Sequence, residues 1–144
     1  MKTKVFLSLM TLGMILCSSF PQKSAIEGAW RLVKVEDRMS DVPFWEQDTG
    51  SDVKFWADGC FAFAGFFQKD SVVFDNYGWG TYKISEGNHY QEYILENHLL
   101  PKAKEKTINM LIEIKNDTLI QSWPADENWN LQQKYVTEKY VRLK

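Results

Sequence analysis

The sequence predicts an all-β protein, an antiparallel up-and-down β-barrel of eight to nine strands. Short stretches with two-residue alternation follow one another from residue 30 to the C-terminus. Tight-turn dipeptides, Asp58-Gly59 and Asn116-Asp117, join several of them. No sustained 3.6-residue apolar period occurs beyond the first 17 residues, and 102–106 has room for one helical turn only. Strand after strand without helices closes as a sandwich or a barrel, and closure removes the edges that invite aggregation. Aromatic residues make up 15% of the 144-residue chain, which suits a β-rich core or a stacking surface.

The first stretch is read as a leader rather than as fold. Lys2 and Lys4 precede an apolar run over residues 5–17, and the small residues Ser18 and Ser19 follow. This is the layout of a secretory signal peptide, too short for the roughly 20 apolar residues of a membrane span. The expected division is therefore 1–19 signal peptide and 20–144 barrel domain, with Ala25 as the other cleavage candidate. The expected location is periplasmic or extracellular. A lipid anchor at Cys17 is the alternative route to a membrane, but Leu16 stands where a small residue belongs. Removing 1–19 lowers Lys plus Arg from 17 to 15 against 19 acidic residues, a net charge of −4. That charge, with no basic patch, excludes a nucleic-acid partner. Cys60 alone of the two cysteines remains, so no internal disulfide forms and the core must hold the fold. A chain of this length does so by burying roughly two-thirds of its unfolded surface.

The elements follow in order. Residues 30–35 form the first strand, and a long loop over 37–51 contains Pro43, Phe44, Trp45 and Gly50. Loops of this length are usually functional or disordered, and in a barrel this one would lie near the first hairpin and could act as a lid. Asp58-Gly59 then pairs Trp56 with Phe61 and Phe55 with Ala62. One face of that hairpin holds Trp56, Phe61 and Phe63, the other Val53, Phe55, Ala62 and Ala64. Both are apolar, so alternation leaves the inward face open. A short strand over 72–74 ends at Asp75-Asn76, Gly78-Trp79-Gly80 bends, and 81–85 resumes. A three-residue turn at 86–88 would set Ile84 opposite Tyr90 and Tyr82 opposite Glu92. Ile108, Met110, Ile112 and Ile114 share one face of the clearest half-buried strand. The turn at Asn116-Asp117 places Leu119 beside Ile114, Gln121 beside Ile112 and Trp123 beside Met110. The last strand puts Val136, Glu138, Tyr140 and Arg142 on one side.

The two chain ends are expected to meet. Gly28 opens the first strand two residues before Trp30, and Arg142 nearly ends the last. Trp30 would plug one end of the closed sheet with the Arg142 guanidinium over its ring, a contact of roughly 0.5–2 kcal/mol. This start and finish resemble the lipocalin-like, or calycin, barrels. With Asp58-Gly59-Cys60-Phe61, Gly80-Thr81-Tyr82-Lys83-Ile84, Tyr90-Gln91-Glu92 and Glu138-Lys139-Tyr140-Val141-Arg142, the chain is similar to lipocalin-like domains of unknown function from secreted bacterial proteins. The resemblance implies an interior cavity and a small apolar ligand. The lack of a disulfide and of a C-terminal helix departs from true lipocalins.

The candidate ligand-binding residues are Trp56, Phe61, Phe63, Tyr82, Tyr90, Glu92, Met110, Trp123, Glu138 and Tyr140. Their rings would either line a cavity or fill it, since an eight-stranded barrel is wide enough for one small ligand. Glu92 and Glu138 share strand faces with aromatics and would orient a polar ligand group, join a structural network with tyrosine hydroxyls and Arg142, or serve as acid and base in glycoside hydrolysis. No motif demands an enzyme. His89 and His98 lack metal-ligand spacing, so neither a metal nor a cofactor is expected. The competing reading is a surface module with a filled core, binding protein or glycan through Phe44, Trp45 and Trp129. The sequence sets no oligomeric state.

Overall fold

The computed structural model describes residues 24–39, 51–69 and 71–144. Eight strands close into an antiparallel barrel in chain order. They are β1 (Gly28–Asp37), β2 (Ser51–Ala57), β3 (Cys60–Lys69), β4 (Val72–Ile84), β5 (His89–Asn97), β6 (Thr107–Lys115), β7 (Thr118–Ala125) and β8 (Leu131–Arg142). The only helical piece among the described residues is a 3-10 turn, Pro101–Ala103. The 37–51 loop expected from sequence shortens at its start, because β1 runs to Asp37; Phe44 and Trp45 lie outside the described residues.

Turn chemistry sets the registers. Asp58 and Gly59 take φ of 47° and 76°, the left-handed pair that a two-residue hairpin requires, and Trp56 duly faces Phe61. Ile84 faces Tyr90 and Tyr82 faces Glu92 across the 86–88 turn, as expected. Ile114 faces Leu119 and Ile112 faces Gln121. Beyond Leu111 the β6–β7 register slips, so Met110 and Trp123 are not direct partners. The expected break at Asp75-Asn76 is absent: β4 is one strand of 13 residues. The reason lies across β3. Asp52, Gly65 and Asn76 fall in one row of the sheet, and the Asn76 amide donates to Asp52 Oδ2 over the bare Gly65 backbone. A Cβ on Gly65 would lie 1.8 Å from Asp52 Oδ1. Turn-forming residues are held extended here by a side-chain bond that only a glycine between them permits.

The same device fixes the inward face. Phe63 pairs with Gly78 and Phe61 with Gly80, and each ring lies over its glycine. Lys54, Trp56, Phe61, Phe63 and Phe67 therefore point in, while Phe55 and Trp79 are exposed outside. Ile108, Met110, Ile112 and Ile114 keep the shared, buried face read from their alternation.

The ends meet as expected. Trp30 pairs with Arg142 in the β1–β8 ladder, is fully buried, and donates its Nε1–H to the Ile26 carbonyl at 2.7 Å. The Arg142 guanidinium sits 4.0 Å from the ring centroid. It also donates to the carbonyls of Glu27 at 2.8 Å and Ala25 at 2.6 Å. Gly28, at φ 126°, passes beneath that guanidinium, where a Cβ would approach Nη1 to 2.9 Å. The glycine thus clears room for the arginine rather than for the indole.

Candidate functional site

The barrel interior divides into two halves. Around the Trp30 plug it is solid: Ile26, Trp30, Trp56, Phe61, Tyr90 and Leu119 are buried in mutual contact. At the opposite end, where β1 finishes and β2 begins, lies a cavity of about 500 Å³. Phe63, Phe67, Ile94, Ile108, Met110, Trp123 and Val136 give it apolar walls. The exposed side chains of Met39, Phe74 and Leu100 line its rim.

A polar layer separates the halves. Trp56 Nε1–H donates to the Tyr90 hydroxyl at 2.7 Å, and that hydroxyl donates to Glu92 Oε1 at 2.6 Å. Lys54 Nζ forms an ion pair with the same oxygen at 2.5 Å. Gln121 closes the ring: its Oε1 accepts from Lys54 at 3.4 Å, and its Nε2–H reaches Glu92 Oε1 at 3.5 Å. Lys54, Glu92 and Gln121 are all buried. Rings surround the ammonium as well, with the centroids of Phe61 and Trp56 at 4.9 and 5.0 Å. A buried ion pair is tolerable only when its remaining hydrogen-bonding capacity is used, and here the amide and the aromatic faces use it.

Glu138 is placed differently. It accepts the Tyr140 hydroxyl at 3.0 Å, and it lines the cavity. It keeps accessible surface because one side faces that space instead of packed side chains. Burial pushes its carboxyl above the ordinary range, against the opposing pull of Lys54 and the Tyr140 hydroxyl. Asp52, also in the wall, is likewise raised by burial. Its Oδ1 finds no donor among the described residues. Burial, reinforced by neighbouring carboxylates, holds the Tyr90 and Tyr140 phenols well above their usual range, so both stay protonated as donors.

The ten residues singled out from sequence thus fall into two groups. Phe63, Glu92, Met110, Trp123, Glu138 and Tyr140 line the cavity. Trp56, Phe61, Tyr82 and Tyr90 belong to the solid half or pack against it. Glu92 joins a tyrosine network, while Arg142 serves the plug instead. Sequence reasoning passed over Lys54, Gln121, Asp52 and Asn76. Strand parity carried the signal: Lys54 is two residues from Trp56, and Gln121 is two from both Leu119 and Trp123. Trp129 is half-buried and stacks on His89 at 4.2 Å. Among the described residues no group of three or more His, Cys, Asp or Glu could hold a metal ion.

The fold and cavity define a class: a closed, eight-stranded antiparallel barrel, compatible with the lipocalin-like fold, with one half packed and one half hollow. Within it, the chain belongs to the family described as a domain of unknown function, DUF4488, whose model matches residues 25–144. No curated protein matches the chain significantly.

Proposed function

We propose that this protein binds a small, mainly apolar molecule inside the barrel. The observation that carries this reading is the half-hollow interior: about 500 Å³ of largely apolar-walled space ending on a polar layer. Ligand sites commonly have this size and this mix of apolar wall and few polar groups. Phe63, Met110, Trp123 and Tyr140 would contact the body of the ligand, and Glu92 and Glu138 would face its polar end. A neutral apolar dye, N-phenyl-1-naphthylamine, tests this directly. Its fluorescence should rise on binding the parent protein and fail to rise with Val136→Trp, which places an indole in the hollow. Uptake that survives Val136→Trp but disappears with Trp45→Ala or Trp129→Ala would favour the surface module instead.

Export fits the same reading. The described contacts of the domain begin at Ser24, whose carbonyl accepts from Glu27, and Ala25 supplies an acceptor for Arg142. Cleavage after Ser19 keeps both, whereas cleavage after Ala25 removes them. The intact mass of secreted protein distinguishes the two sites, and an added diacylglycerol mass would mark the anchor at Cys17.

A further inference from the structure

We infer that the ligand's polar end is a cation: the cavity selects an amine carried on an apolar body. This rests on the binding reading above and adds the chemistry of the ligand. Among the described residues the inner wall carries three carboxylates, Asp52, Glu92 and Glu138, and one ammonium, Lys54. Asp37 adds a fourth carboxylate near the rim.

Lys54 is not available to an incoming anion. It is buried, paired with Glu92, bonded to Gln121 and enclosed by the rings of Trp56, Phe61 and Phe63. The Lys54–Glu92 pair largely cancels itself, and among the described residues no second cation lines the cavity beside Asp52 and Glu138. Glu138 has the Tyr140 hydroxyl and the Trp123 indole N–H as donors and an open side toward the cavity. Asp52 has the Asn76 amide, and its second oxygen has no donor among the described residues. A buried carboxylate is stable when paired, well hydrogen-bonded or protonated. An ammonium group at Glu138 supplies the missing pair. A carboxylate ligand at the same place would add a charge of the wrong sign and find no free cation among the described residues of the wall. An alcohol would donate one hydrogen bond to the carboxylate but bring no opposite charge.

Three probes of equal length separate these cases: decylamine, decan-1-ol and decanoate, titrated calorimetrically at pH 7 below their aggregation limits. Decylamine should bind about tenfold or more tighter than decan-1-ol, since only the ammonium adds an opposite charge to the hydrogen bond with the buried carboxylate. Decanoate should bind weakest. Glu138→Gln keeps an acceptor for Tyr140 and should remove most of the preference for decylamine over decan-1-ol. Asp52→Asn should reduce the preference to a smaller extent. Equal or tighter binding of decan-1-ol or decanoate to the parent protein overturns the inference but leaves the cavity reading standing. Undiminished preference in Glu138→Gln also overturns it. Failure of all three probes to bind brings down both.

Discussion

Lys54 and Glu138 sit in the same interior, yet their replacement should move stability in opposite directions. Lys54 neutralises Glu92 from within the barrel, and both are buried. Lys54→Met leaves the buried Glu92 without its counter-ion, so it should cost about 3–5 kcal/mol. Urea unfolding measures this; a loss within experimental error would mean that the network does not depend on the ion pair. Among the described residues no cation forms an ion pair with Glu138, and burial raises its carboxyl. The folded state then holds a proton at pH values where the unfolded chain has released it. That contribution to stability is complete below the unfolded carboxyl's pKa of about 4.3 and is lost as pH rises through the raised folded value. Lys54, Glu92 and Tyr140 surround the group and shape the same titration. Glu138→Gln should therefore be more stable than the parent at pH 7, with the difference closing below about pH 4. Unfolding curves at several pH values check the sign, and a variant weaker than the parent at pH 7 would contradict an uncompensated charge. At this scale the sequence was readable for the aromatics and glutamates, whose parity matched their chemistry. It was not readable for Lys54, because a lysine on a strand is ordinarily solvated and only the three-dimensional partner turns it inward.

At the scale of elements, the hairpins were the legible part, because their information is local. Asp58-Gly59 and Asn116-Asp117 carry backbone conformations that dictate register within a few residues. Longer-range departures were not legible for the same reason. The ladder irregularities between Leu32 and Lys34, Asn109 and Leu111, and Trp123 and Ala125 shift which residue faces in, and each needs the neighbouring strand to define it. β4 is the clearest case. Asp75-Asn76 and Gly78-Trp79-Gly80 carry every local sign of interruption. They stay extended because Asp52 sits two strands away in the same row and because two phenylalanine rings need bare backbone beside them. A glycine that reads as a bend in one dimension is, in the sheet, the space that a neighbouring ring occupies.

For the molecule as a whole, closure and hollowness are in tension. A barrel of eight strands can be filled by side chains, and filling favours stability. This chain fills one half and leaves the other open. The packed half must then supply much of the core's cohesion, with Trp30 at its centre, fully buried and tied to Ile26, Arg142 and the pairing of the first and last strands. Trp30→Ala should therefore lower stability by about 3–5 kcal/mol, the usual cost of removing a buried large aromatic. Because the cavity lies at the other end of the barrel, the fraction of Trp30→Ala that remains folded should still take up N-phenyl-1-naphthylamine with near-parental affinity. Thermal unfolding and dye titration on the same sample test both halves of this expectation. Near-parental melting would show that the ends do not depend on the plug. A folded variant that no longer takes up dye would show that plug and cavity are one cooperative unit, not a packed base carrying an independent cup.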